Sequence, residues 1–178
     1  MRRKGQVCHI MNNQEKNAYV RTMLVKTLVE MLKEKKLEEI PVRTLCERAG
    51  VARASFYRNY TSTADILHQE CDRLIGEWGK AFESDPSSRP DNVFASLFDH
   101  YYKNSHFYKT LVQAGKGEYI LETILNVCGP KTEMGNTQAY GQAYFAYGLY
   151  GWISEWIRRG MKEDGKELNA MIQAGLNH

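Results

Sequence analysis

The stretch VRTLCERAGVARASFYRNYTSTADIL, Val42 to Leu67, decides how this chain is read. Leu45 and Ala49 are four residues apart and so share one face of a short helix. Gly50 follows at once, and glycine accepts the left-handed backbone that an abrupt helix stop requires. Val51 leads into a second short helix, on which Phe56 and Tyr60 again repeat at four. Two short helices joined by a tight glycine-containing turn make a helix-turn-helix, the unit that lays its second helix in the major groove of DNA. Arg53, Ser55, Tyr57, Arg58 and Asn59 are the polar groups left on that second helix, and these types bond phosphates and base edges.

Charge is distributed in the same sense. The 178 residues carry a net charge of only +3, but the two ends differ. Residues 1–60 hold 13 Lys or Arg against 6 Asp or Glu, while residues 61–178 hold 11 against 15. The basic end is the end with the helix-turn-helix, which fits contact with phosphates and release of their counterions. Runs such as Lys33 to Lys36 also fit a solvated helix end.

The basic start Met1-Arg2-Arg3-Lys4 is not followed by an apolar stretch, so no signal peptide is expected, and no window has the apolar length of a membrane span. Cys8, Cys46, Cys71 and Cys128 are scattered without a CxxC spacing, which suits a reduced cytoplasmic protein.

Elsewhere the periodicity is helical. Val20, Leu24, Leu28 and Met31 or Leu32 predict a helix over 15–35, and the short pair occupies 43–49 and 53–59. A longer helix from Ser62 carries Ile66, Leu67, Leu74, Ile75 and Trp78 to about Ser84, where Asp85-Pro86-Ser87-Ser88-Arg89-Pro90 breaks it. Further helices are read around Val93, Leu97 and Tyr101, around Phe107 and Leu111, and from Ile120 to a stop at Gly129-Pro130. The longest pattern covers 137–161, and a last helix lies around Leu168, Met171 and Ile172. Strand-like alternation is absent, so the fold class is all-α, with a three-helix head over 1–61 and a larger helical body over 62–178.

The run AGVARASFYRNY, Ala49 to Tyr60, with Ser62, Asp65, Ile66 and Leu67 after it, resembles the TetR family of bacterial transcriptional regulators. The chain departs from the family's pattern at Pro41 and Ala52, where Ser or Thr usually caps helices 2 and 3, and at Thr63, where Lys is common. A second segment, YFAYGLYGWISEWIRRGM from Tyr144 to Met161, is similar to the eighth helix of a branch that includes co-activators of dihydroxyacetone utilisation. The resemblance implies a homodimer on a palindromic double-stranded DNA operator, released by a small-molecule effector bound in the body. In that arrangement Arg53, Ala54 and Ser55 face the major groove. Arg53 suits a guanine and the Ala54 methyl a thymine methyl. Arg43, Thr44, Tyr57, Arg58 and Asn59 are the remaining DNA-binding residues expected, most of them as phosphate contacts.

Gly141, Gly148 and Gly151 lie inside the longest helical pattern, where each costs up to about 1 kcal/mol against Ala. They share roughly one face, beside Trp152 and Trp156, and predict a dimer interface or, alternatively, close packing within the chain. Phe98, Tyr101, Tyr102, Phe107, Tyr144 and Tyr147 are candidate pocket residues for a hydrophobic or aromatic effector, with ordinary core as the alternative. The pairs His68/Cys71 and Cys8/His9 supply too few ligands for zinc, so neither a metal nor a cofactor is expected. Nothing has the form of a nucleophile with its base or a phosphate-cradling loop, so an enzyme is not expected. A co-activator working through a protein partner, with weak DNA affinity of its own, stands beside the repressor as the second reading.

Overall fold

The computed structural model describes residues 12–176, and the Cys8/His9 pair lies outside them. Nine α-helices and a single 3-10 turn follow one another, with no strand among the described residues. The chain divides into two compact units between Ile66 and Leu67, inside the fourth helix. No helix among the described residues is long and apolar enough to cross a membrane.

The first unit is built from α1 (Asn13–Met31), a 3-10 turn (Leu37–Glu39), α2 (Val42–Ala49), α3 (Arg53–Tyr57) and the first turn of α4 (Thr63–Ser84). At the start of α1 the Asn12 side chain accepts from the Glu15 N–H at 2.9 Å, and Glu15 accepts from the Asn12 N–H at 2.7 Å. The helix stops at Met31 rather than near residue 35, because the Lys33 and Glu34 amides turn back three residues, to the Glu30 and Met31 carbonyls, in place of four. That turn delivers Leu37 to the core beside Leu24, Leu28, Leu45, Phe56 and Ile66, all 5% exposed or less. Each such side chain contributes on the order of 1.5–3 kcal/mol of burial.

Gly50 sits at φ +66°, and the Val51 amide closes on the Cys46 carbonyl at 3.0 Å. This six-residue closure turns α2 sharply into α3. Neither Pro41 nor Ala52 provides a side-chain cap, so α2 and α3 rely on packing against α1 and each other. α3 ends at Tyr57 rather than Asn59, because the Asn59 side-chain amide takes the Ser55 carbonyl at 2.8 Å. α4 enters through a reciprocal cap: Ser62 Oγ accepts from the Asp65 N–H, and the Asp65 carboxylate accepts from the Thr61 N–H and hydroxyl.

The second unit contains the rest of α4 with α5 (Val93–Lys103), α6 (Ser105–Gln113), α7 (Glu118–Cys128), α8 (Asn136–Arg158) and α9 (Gly165–Leu176). α5 packs along α9, and α8 packs on α6 and α7. α4 is tied in by Trp78 Nε1–H donating to Ser96 Oγ at 3.0 Å and by the Thr123 hydroxyl donating to Asp72 at 2.7 Å. α8 stops at Arg158, short of the expected Met161, where the Met161 amide turns back to the Trp156 carbonyl at 2.9 Å.

α9 opens on a third reciprocal cap, Asp164 with Glu167. Its first residue, Gly165, lies against α5 so closely that a Cβ there would run into the Ala95 carbonyl oxygen and the Asp99 carboxylate. Under the helices Tyr101 and Tyr108 are fully buried, their ring centroids 4.3 Å apart, and Tyr108 Oη stands 3.5 Å from His100 Nε2. Burial holds the His100 pKa at about 4, below its ordinary 6.5, and pushes both tyrosine hydroxyls upward.

Two stability predictions follow from these contacts. Gly165→Ala should destabilise the fold by about 1–3 kcal/mol through overpacking. Gly76→Ala, inside α4 with open space around the missing Cβ, should stabilise it by up to about 1 kcal/mol. Thermal unfolding read by circular dichroism separates the two, and shifts of the same sign would contradict the close approach of α5 and α9. For His100, the unfolded chain binds a proton between pH 6.5 and 4 that the folded chain refuses, so stability falls as pH falls through that window. Allowing for its partial exposure, we expect roughly 1–2 kcal/mol of that loss to disappear in His100→Asn. Urea midpoints at pH 7 and 4.5 measure it.

Candidate nucleic-acid interface

The turn at Gly50 leaves the apolar residues of α2 and α3 inside and their polar residues outside. Arg43 and Thr44 on α2 are exposed, as are Arg53, Ala54, Tyr57 and Arg58 on and after α3. Phe56, completely buried, meets the Tyr57 ring edge-on at 5.1 Å and so steadies an otherwise exposed aromatic. Arg53 and Ala54 lie in the first turn of α3, the part of a reading helix that enters the groove.

The other candidates are less available. Ser55 is half-buried, and its Oγ accepts from Arg58 Nη2 at 2.7 Å. Asn59 is half-buried and its amide is already engaged: Nδ2 donates to the Ser55 carbonyl, and Oδ1 accepts from Arg21 Nε on α1 at 3.2 Å. Arg43 Nε donates to Glu47 at 2.8 Å, an exposed pair between successive turns of α2 that a phosphate could exchange.

Ion pairing separates the two units. Among the described residues of the second unit, every arginine meets a carboxylate: Arg73 with Glu70 and Glu77, Arg89 with Asp91, and Arg158 and Arg159 with Glu155. In the first unit only Arg43 does so, and Arg21, Arg48, Arg53 and Arg58 meet none among the described residues. Unneutralised guanidinium groups gathered on one small unit form a surface suited to a polyanion. Arg21 and Arg48 were not among the sequence candidates; for Arg48 the absence of an acid at i±3 or i±4 was a readable sign.

In the second unit the six aromatic candidates do not gather around one cavity. Phe98, Tyr101 and Phe107 are core, with Phe98 edge-on to Trp156 at 5.2 Å. Tyr102, Tyr144 and Tyr147 are exposed by half or more. A cavity of about 430 Å³ opens instead between α4 and α5, walled by Leu74, Trp78 and Phe82 and rimmed by Glu77, His100 and Lys103. Of the six candidates, only Tyr144 borders a second cavity, of about 240 Å³, with Phe94, Phe145, Gly148 and Ile172.

Gly141, Gly148, Gly151 and Trp152 lie on the exposed face of α8 with Tyr140, Tyr144 and Tyr147. A Cβ added at any of the three glycines would meet nothing within 4 Å, so packing inside the chain does not require them. Trp156 differs from the expectation: it is only 3% exposed, packs on Phe98, and donates Nε1–H to the Glu163 carbonyl at 3.2 Å. His68 and Cys71, three apart on α4, part ways, with His68 Nε2 3.2 Å from Glu122 and the Cys71 thiol directed at the Tyr119 carbonyl.

Comparison with known proteins agrees with this arrangement. The fold is similar to that of Lin0861 from Listeria innocua, with a TM-score of 0.74, 16% identity and 95% of each chain covered. It is similar also to the fatty acid degradation regulator FadR from Bacillus halodurans, with a TM-score of 0.53, 15% identity, and 92% of this chain and 94% of that one covered. A TetR transcriptional regulator from Rhodococcus sp. RHA1 matches with a TM-score of 0.52 and 16% identity, over 88% of this chain and 94% of that one. No curated protein sequence matches the chain. Residues 88–178, half of the chain, match the TetR-type family described as "Transcriptional regulator C-terminal region". Taken with the helix-turn-helix that precedes it, that match places the chain in the TetR family of transcriptional regulators.

Proposed function

We propose that the chain is a homodimeric repressor that binds a palindromic DNA operator through α2 and α3 and is released by a small molecule. The observation that carries this reading is the distribution of arginines, neutralised throughout the described part of the second unit and, Arg43 apart, without a carboxylate partner in the described part of the first. Arg53 reads bases from the first turn of α3, with the Ala54 methyl beside it, and Arg43, Thr44 and Tyr57 hold phosphates. Ser55 and Asn59, engaged inside the protein, shape α3 more than they touch DNA. Occupancy of an operator that overlaps a promoter is enough to repress, so repression demands least of this chain.

The dimer is supported by α8. Its three open glycines strip side chains from an exposed face beside Trp152, where a second copy of the helix approaches closely. Two heads held by a two-fold axis match half-sites about 34–36 Å apart. The cavity between α4 and α5, where Leu74, Trp78 and Phe82 meet Glu77, Asp99, His100 and Lys103, supports an effector that carries polar as well as apolar groups. Such an effector acts by binding more tightly to one conformation of α4 and α5 than to another.

Two experiments test this reading. In fluorescence anisotropy on DNA from upstream of its own gene, Arg53→Ala should lose about 1–3 kcal/mol of discrimination between operator and scrambled duplex. Arg43→Ala should weaken both duplexes alike, and equal losses from the two variants would contradict the assignment. In sedimentation at micromolar concentration, the wild type should run at twice the 20.5 kDa chain mass and Gly148→Leu at the chain mass. A monomeric wild type would remove the dimer. Selective binding that is lost entirely, with no difference between operator and scrambled DNA, would direct attention to a protein partner.

A further inference from the structure

Arg21 lies in the middle of α1, 38 residues before Asn59, and no sequence pattern connects the two. In the folded head its Nε donates to Asn59 Oδ1 at 3.2 Å, while Asn59 Nδ2 holds the Ser55 carbonyl at 2.8 Å. Arg58 Nη2 donates to the Ser55 hydroxyl at 2.7 Å. Two guanidinium groups from separate elements are thus tied to the same residue pair at the C-terminal end of α3. Neither meets a carboxylate among the described residues, and Arg21 and Arg58 are both exposed. Arg21, an exposed residue, uses only Nε in this contact, so its two terminal amino groups are left without a partner among the described residues.

A guanidinium fixed by Nε presents its remaining donors as a planar fork, the geometry that matches two oxygens of one phosphate. The C-terminal end of α3 carries a negative partial charge that favours the two cations and opposes an anion, so the side chains must supply all of the attraction for a phosphate. We infer that Arg21 and Arg58 form a clamp for one DNA backbone phosphate at the end of α3, with Asn59 as the residue that orients Arg21. The inference rests on the DNA-binding reading above and adds to it a contact from α1. The clamp fixes the register of α3 along the duplex and carries no sequence information.

The test compares wild type, Arg21→Gln and Arg21→Lys by anisotropy on operator and scrambled duplexes across a salt series, with melting temperatures alongside. Loss of one phosphate contact in each subunit of the dimer lowers the magnitude of the log–log salt slope by about 1.8, about 0.9 for each contact, and weakens binding by roughly a hundredfold at 0.1 M salt. Arg21→Gln should show both changes, equally on the two duplexes and without a change in melting temperature. Arg21→Lys should restore the slope while recovering only part of the affinity, because one ammonium cannot fork. An unchanged slope in Arg21→Gln, with wild type binding DNA in a salt-dependent way, overturns the clamp and leaves the DNA-binding reading standing. Identical behaviour of Gln and Lys overturns it too, since the residue would then act only through its hydrogen bond. A wild type that binds neither duplex at low salt removes the DNA-binding reading and the clamp together.

Discussion

The left-handed turn at Gly50 is the constraint on which the reading head depends. α2 has eight residues and α3 five, both too short to hold their shape without packing, and neither has a side-chain cap at its start. Their angle comes from one backbone closure, Val51 to Cys46, made possible by one residue that tolerates φ +66°. With that angle set, Leu45, Ala49 and Phe56 reach a common core with Leu24 and Leu28, and the polar residues are left outside. A Cβ at Gly50 would meet no neighbour, so the demand is wholly conformational.

Electrostatics divides the molecule in a way that total charge does not reveal. A net charge of +3 on 178 residues is unremarkable. The contrast lies in pairing: acids placed one turn away, or two residues away for Arg89, occupy the arginines of the second unit, and such acids are missing around most arginines of the first. Paired guanidinium groups offer little to an incoming phosphate, whereas unpaired ones keep their donors and field available.

The fold was legible because it is written in short-range patterns: helical spacing, the glycine after Ala49, and the proline-serine break after Ser84. What could not be read depended on contacts far apart in the chain or on small rotations. Tyr101 and Tyr102 are neighbours, yet one is fully buried and the other 57% exposed, because a step of one residue turns a helix by about 100°. Trp156 shares a helical stripe with Trp152, but the backbone turning at Met161 brings the Glu163 carbonyl onto its indole and draws it inside. Asn59 has the composition of a DNA contact, and only the approach of Arg21 from α1 gives its amide a second task. The α4–α5 cavity was missed because its walls come from two helices separated by the break, each with an ordinary amphipathic pattern.

The arginine pairings of the second unit have one more consequence. Each partner lies within four residues in sequence: Glu70 and Glu77 about Arg73, Asp91 after Arg89, Glu155 before Arg158 and Arg159. Acid and base therefore stay close whether or not the helices around them have formed. The neutralisation of these arginines is therefore a property of short stretches of chain, and it does not wait for helices distant in sequence to meet.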